Sequence, residues 1–149
     1  MIILRPATAA DQKRIVEIIH IVGINPMDLK WKNFTVAVDE ATVTIVGTGQ
    51  IKPHGDGSRE LASIAVLPDY RHQGIAHQIM EHLLAHSTGP LYLTCLSRMG
   101  SLYEPFGFRV IAEDEMTPYF RRLLKISKAL MRFVQPGATL WVMKREERK

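Results

Sequence analysis

The sequence predicts an α/β fold, with a mixed, mostly antiparallel central sheet of about seven strands flanked by helices, and three observations predict it. Short β-branched runs recur along the chain, three of them in succession in "NFTVAVD", "ATVTIVGTGQIK" and "RELASIAVL". Directly after the third, the apolar period changes from two to helical. Strand-like runs then alternate with helical ones to the closing "TLWVMKRE".

"MIILRPAT" alternates apolar residues before Pro6, and Thr8 or Asp11 can cap a helix in which Ile15, Ile18, Ile19 and Val22 recur at helical spacing. "GINPMD" breaks that helix, and "MDLKW" is read as one further short turn or helix. The next two strands join around Asp39 and Glu40 as a hairpin, and "PHGDGS" turns the chain into a third, neighbouring antiparallel strand. After "PDYRHQG", Ile75, Ala76, Ile79, Met80, Leu83 and Leu84 form a stripe suited to covering a sheet. "PLYLTCL" reads as a strand, "MGSLYEPFG" as a short helix stopped near Pro105 and Gly107, and "FRVIAE" as another strand. In residues 118–134, Phe120, Leu123, Leu124, Leu130 and Phe133 take one side of a helix and Arg121, Lys125, Lys128 and Arg132 another. The order is β-α-β-β-β-α-β-α-β-α-β, and no linker, repeat or low-complexity tract interrupts it.

Composition narrows the function classes. The 149 residues fit one domain, 1–149, with 46% hydrophobic and 23% charged residues, a globular balance. No apolar run reaches the length of a membrane span, and the N-terminus lacks a basic leader, so a cytoplasmic location is expected. Cys95 is the single cysteine, which excludes an intramolecular disulfide and a cysteine metal cluster. His82 and His86 stand one helical turn apart without an evident third ligand, and no metal is expected. The net charge of +4 suits an anionic ligand but does not select one.

The segment "YRHQGIAHQIM" carries the chemistry. A strand that ends in a glycine-bearing loop opening a helix leaves backbone N–H groups without intrahelical partners, and the helix dipole makes this an anion site. Gly74 and Ala76 allow a phosphate to approach the backbone, and Arg71 adds a positive charge. A Walker loop would need Lys and Ser/Thr after its glycine, and a dinucleotide fingerprint would need three spaced glycines after the first strand. Neither is present, and "GTG" at 47–49, inside a strand, reads as a bulge or a close backbone contact.

On "SIAVLPDYRHQGIAHQIMEHLL", with its Arg-x-x-Gly-x-Ala loop between strand and helix, and on the later "LYEPFGF", the chain resembles the GCN5-related N-acetyltransferase (GNAT) family. The resemblance implies the acyl-CoA N-acyltransferase fold and acetyl-CoA as acetyl donor. It implies a bulge in the strand before the loop, pantetheine on the backbone of Ile64, Ala65 and Val66, and pyrophosphate on Arg71, His72, Gln73, Gly74, Ile75 and Ala76. Tyr103 matches the family tyrosine that protonates or holds the departing thiolate. An N–H near Val66 would serve the oxyanion. Glu60 matches the base of the histone-acetyltransferase branch, and even spacing sets it on the face of Ala62, Ile64 and Val66, although a solvated charge closing the "GDGSRE" turn is the competing reading. Ser97 stands where many members carry an Asn that contacts the cofactor.

The resulting expectation is an N-acetyltransferase moving acetyl directly to a primary amine of a small molecule or protein. Residues 23–32 and 118–134 would choose the acceptor. The alternative is a catalytically weak or inactive acyl-CoA-binding module that docks to a partner through the basic helix 118–134. Neither nucleic acid nor membrane is expected as a partner. A homodimer is compatible with the family.

Overall fold

The computed structural model describes residues 1–134 and 137–146, and the chain divides into two compact units. The first comprises Met1–Lys52 and Leu61–Ser87, the second Pro53–Glu60 and Thr88–Lys149.

In the first unit, β1 (Ile2–Pro6) runs antiparallel to β2 (Phe34–Asp39), which runs antiparallel to β3 (Thr44–Pro53). Between β1 and β2 lies α1 (Gln12–Val22). Its entry is fixed by Asp11, whose Oδ2 accepts from the Thr8 amide at 2.8 Å and from Arg5 Nη1 at 2.7 Å. Burial of Ile15, Ile18 and Ile19 against Phe34, Val36 and Val38 drives its docking, each such side chain contributing about 1.5–3 kcal/mol. Gly23, at φ 81°, ends the helix in the left-handed conformation that glycine adopts without strain. The expected turn at "MDLKW" forms slightly later, as a 3-10 turn at Trp31–Asn33.

The strand before the loop, β4 (Arg59–Val66), is followed by α2 (Ile75–Ala85), which buries Ile75, Ile79, Met80, Leu83 and Leu84. Ala76, expected in the same stripe, is half-buried. The "GTG" of β3 is a close helix contact: a Cβ on Gly49 would lie 2.6 Å from Ile79 Cγ2 and 2.9 Å from Leu83 Cδ1, and one on Gly47 3.1 Å from Ile79 Cδ1.

The second unit pairs β5 (Leu91–Leu96) antiparallel with β7 (Leu140–Arg145), and β7 antiparallel with β6 (Phe108–Val110). The start of β4 belongs here, with Glu60 opposite Tyr92 in a parallel bridge to β5. Hydrogen bonding thus gives the order β1-β2-β3-β4-β5-β7-β6, a mixed, mostly antiparallel seven-stranded sheet. The helix α3 (Pro118–Val134) buries Phe120 and Leu124 with Tyr92, Ile111, Met116 and Val142.

Three expectations in this unit change. "MGSLYEPFG" is two 3-10 turns, Ser97–Leu102 and Glu104–Phe106, because Pro105 supplies no N–H to continue a helix and Gly107 turns left-handed at φ 92°. "FRVIAE" keeps only three strand residues, after which the acidic Glu113–Glu115 forms a 3-10 turn. The apolar side of α3 is buried only in its first half: Leu130 is 60% and Phe133 84% exposed.

Candidate functional site

The loop after β4 is anchored before it opens. Leu67 N donates to Val46 O at 2.9 Å, and Tyr70 Oη donates to Asp39 Oδ2 at 2.7 Å. The Arg71 amide donates to Pro68 O and its Nε to Val66 O, both at 3.3 Å. The run of amides expected from Arg71 therefore begins one residue later, because Arg71 spends its own N–H closing the 3-10 turn Pro68–Tyr70.

Past Arg71 the backbone is left-handed at His72, φ 63°, and again at Gly74, φ 78°. Left-handed residues set close together turn successive N–H groups toward one point, a concavity suited to an anion. Gly74 is the N-cap of α2, so the first-turn amides of Ile75 and Ala76 add donors that the helix cannot satisfy internally. A Cβ on Gly74 would meet nothing within 4 Å, so that side of the residue is open. A pyrophosphate fits the chemistry of the loop: backbone donors, a helix N-terminus and the Arg71 charge.

Upstream, Ser63 is left-handed at φ 58°, an uncommon conformation for a residue with a side chain. It interrupts the alternation of β4, which buries Glu60 and Leu61 side by side and then Ala65 and Val66. Even spacing therefore does not carry Glu60 onto the face of Ile64 and Val66, because the kink at Ser63 shifts the phase. The kink is held from β3: Thr48 Oγ1 donates to Ser63 O at 2.9 Å and Gln50 Nε2 to Ser63 Oγ at 2.8 Å.

In the second unit, Tyr103 follows the first 3-10 turn, its amide donating to Gly100 O at 3.0 Å. Gly100 lets this turn lie against Trp141, since a Cβ there would come within 2.5 Å of the indole. The Tyr103 ring meets Phe108 edge-on at 6.5 Å. Burial, and then the neighbouring Cys95, push the Tyr103 phenol above the ordinary tyrosine value, so it keeps its proton and remains a donor. Ser97 begins the same turn, its amide donating to Thr139 O at 2.9 Å. Cys95 is buried, and burial raises its thiol, the state of an inert small hydrophobe.

Glu60 is not a solvated charge. Its side chain is 8% exposed, and His54, 7% exposed, reaches its Oε1 at 2.9 Å through Nε2. Tyr119 of α3 stacks on the His54 ring, with centroids 3.6 Å apart. The turn is closed by His54 N to Ser58 O at 2.9 Å, and Asp56 Oδ2 accepts the Tyr119 amide at 3.0 Å, tying the start of α3 to it. His54 is the site neighbour that the sequence reading missed. Its signal was available: a histidine and a glutamate bracket "GDGSR", so the hairpin brings them across from each other.

The structure thus brings Ile64, Ala65, Val66 and residues 71–76 together as one strand, loop and helix in the first compact unit. Tyr103, Ser97 and Glu60 lie in the second unit. On α2, His86 Nδ1 bonds to His82 O at 2.8 Å, one turn back along the helix. No helix among the described residues is long and apolar enough to cross a membrane.

Comparison with known proteins gives one family. The model of the acetyltransferase (GNAT) domain matches residues 30–110. No curated protein sequence matches the chain. Among solved structures, N-acetylglutamate synthase from Neisseria gonorrhoeae, complexed with coenzyme A and N-acetyl-glutamate, is similar at TM-score 0.73 and 16% identity. This chain is covered over 100% of its length but spans only 36% of that one. Rv2747 from Mycobacterium tuberculosis, in complex with CoA and NLQ, gives TM-score 0.73 and 17% identity over 98% of this chain and 99% of that one. The ribosomal-protein-S18-alanine N-acetyltransferase from Escherichia coli gives 0.69 and 16% over 100% and 96%.

Proposed function

Since this chain belongs to the GNAT acetyltransferase family, we propose that it transfers acetyl from acetyl-CoA directly to a primary amine of a small molecule or a protein, with residues 1–149 acting as one domain. The observation that carries this reading is the left-handed pair His72 and Gly74 at the mouth of α2, directly after the kinked strand β4. When bound, acetyl-CoA supplies an activated thioester, so the chain has only to orient it, take a proton from the amine and receive the charge of the departing sulfur.

The residues divide that work. Amides of His72, Gln73, Gly74, Ile75 and Ala76, with the Arg71 guanidinium, hold the phosphates. The backbone of Ile64, Ala65 and Val66 aligns the pantetheine arm, and the N–H near Val66 donates to the carbonyl oxygen as negative charge develops there. Tyr103, whose phenol burial holds above its ordinary value, donates to the sulfur. Ser97 offers a hydroxyl to the cofactor. Glu60 takes the amine proton, directly or through water, and His54 fixes its carboxylate by bonding Oε1.

Among the relatives, one is named as a synthase of N-acetylglutamate and another as acting on an alanine of ribosomal protein S18, so small-molecule and protein amines both belong in an acceptor panel. The test is release of free CoA thiol from acetyl-CoA across that panel. Amine-dependent release supports the transferase. Tight acetyl-CoA binding without release on any acceptor supports instead an acyl-CoA-binding module that docks through α3. One observation favours this second reading: Ile126, Leu130 and Phe133 are exposed on the helix that carries Lys125, Lys128 and Arg132.

A further inference from the structure

The two faces of β3 serve different neighbours. Gly47 and Gly49 leave room for α2 on one face. On the other, Thr48 and Gln50 are both fully buried polar residues, and both hold Ser63 in its kink. Gln50 also reaches across to the segment between α1 and β2, its Nε2 donating to Asp28 O at 3.3 Å. Asp28, like Ser63, is left-handed, at φ 56°. One glutamine amide therefore ties two left-handed backbone positions together.

Its other amide atom is unspent. Gln50 Oε1 is buried and has no hydrogen-bond partner among the described residues. A buried carbonyl oxygen left unpaired costs stability, and such a group calls for a ligand or a mechanistic reason. The segment that Gln50 Nε2 reaches is held at both ends and exposed between them. Ile24 and Leu29 pack on the core, while Asn25, Pro26, Met27 and Asp28 between them are exposed. Gln12 pins the far end, with Nε2 donating to Leu29 O at 2.5 Å and Oε1 accepting from Trp31 N at 2.8 Å. At 3.3 Å the Gln50 bond to Asp28 O is the longest in this set, so lifting residues 25–28 would break the weakest of these contacts.

We propose that Gln50 binds the acceptor amine: its N–H holds the Ser63 kink beside Ile64, Ala65 and Val66, and its free Oε1 receives an N–H of the amine when residues 25–28 lift. The inference rests on the transferase reading. A neutral amide oxygen suits the task, because a carboxylate in its place would favour the ammonium form, which cannot attack. Gln50 thus orients the nucleophile without opposing its deprotonation.

The experiment combines kinetics with hydrogen exchange on the full chain, using wild type, Gln50→Met and Ser63→Ala. Met keeps the length of the side chain and removes both polar atoms, and thermal melting checks that each variant folds. The expected result is KM for the amine raised about tenfold in Gln50→Met, the loss of one buried hydrogen bond, with any loss of acetyl-CoA affinity matched in Ser63→Ala, which releases the same kink. Ser63→Ala, which frees the Gln50 N–H but spares Oε1, should raise KM about threefold, and it carries the test if Gln50→Met fails to fold. Butylamine added to the CoA-bound protein should alter exchange at amides 24–30 in wild type and not in Gln50→Met. Unchanged KM in a folded Gln50→Met, or a butylamine response that survives the substitution, overturns the role of Gln50 and leaves the transferase standing. A Gln50-dependent butylamine response without turnover on any amine overturns the transferase and leaves the Gln50 site standing.

Discussion

Replacing Gly74 separates charge from shape in the proposed phosphate cradle. The residue sits at φ 78°, ψ 12°, and an added Cβ would meet no atom within 4 Å, so Gly74→Ala suffers backbone strain and no collision. That strain amounts to about 1 kcal/mol, and Asp suffers less of it because Asp tolerates the left-handed region. Gly74→Asp therefore adds one element that Gly74→Ala lacks, a carboxylate at the mouth of α2. A unit charge about 5 Å from one phosphate charge at an effective dielectric of about 20 is repelled by about 3 kcal/mol. Solvent at this exposed loop reduces the figure, leaving CoA affinity about 10- to 100-fold weaker than in Gly74→Ala. Titration calorimetry with CoA on both variants measures it, and the deficit should change with added salt. Gly74→Asp binding CoA within about twofold of Gly74→Ala would refute the assignment of the loop to phosphate.

Tyr103→Phe should lower kcat about 100-fold with little change in acetyl-CoA affinity, and equal losses in both would reduce the phenol to packing. Because the Tyr103 phenol is held above its ordinary value, activity that depends on its proton should persist into alkaline pH beyond the usual tyrosine range, as a pH series on wild type and Tyr103→Phe would show. Glu60→Gln should cost about 100-fold in kcat, and adding His54→Ala to it should cost little more, since His54 acts through the carboxylate; additive losses would contradict that coupling. Gly49→Ala should lower Tm by about 3–10 °C by forcing a Cβ against Ile79, Ile64 and Leu83. Burial alone would raise Asp56, but the Ser58 hydroxyl and amide and the Tyr119 amide outweigh it and hold this carboxyl well below the usual range. Its contribution is present above the unfolded carboxylate value and lost as pH falls toward the folded one, so Asp56→Asn should flatten the acid side of a Tm-against-pH curve.

Much of the fold is legible because period and punctuation agree. The stripe of α2, the hairpin at Asp39 and Glu40 and the stop at Gly23 all read directly, and the loop "YRHQGIA" lies between strand and helix as its sequence indicates. What escapes is backbone conformation at residues whose side chains do not signal it. His72, Ser63 and Asp28 are left-handed without being glycine, imposed by the closed turn before His72 and by the buried side chains of β3. The face assigned to Glu60 fails at Ser63 for this reason, as even spacing assumes an unbroken pleat. Helical spacing in α3 likewise cannot tell that Phe120 and Leu124 meet the sheet while Leu130 and Phe133 do not. The proposed role of Gln50 is illegible in the sequence because a lone glutamine in a strand has no signature until its neighbours are known.

The central claim is that acetyl passes from CoA straight to an amine, with no acyl-enzyme at the buried Cys95. Acetyl-CoA labelled in its acetyl group, incubated with the panel of amines and with wild-type and Cys95→Ala protein, tests it in one measurement. The predicted result is label in an amine product equal to the thiol released, unchanged by the substitution. Thiol release without labelled amine, label retained on the protein, or no release with any amine would contradict it.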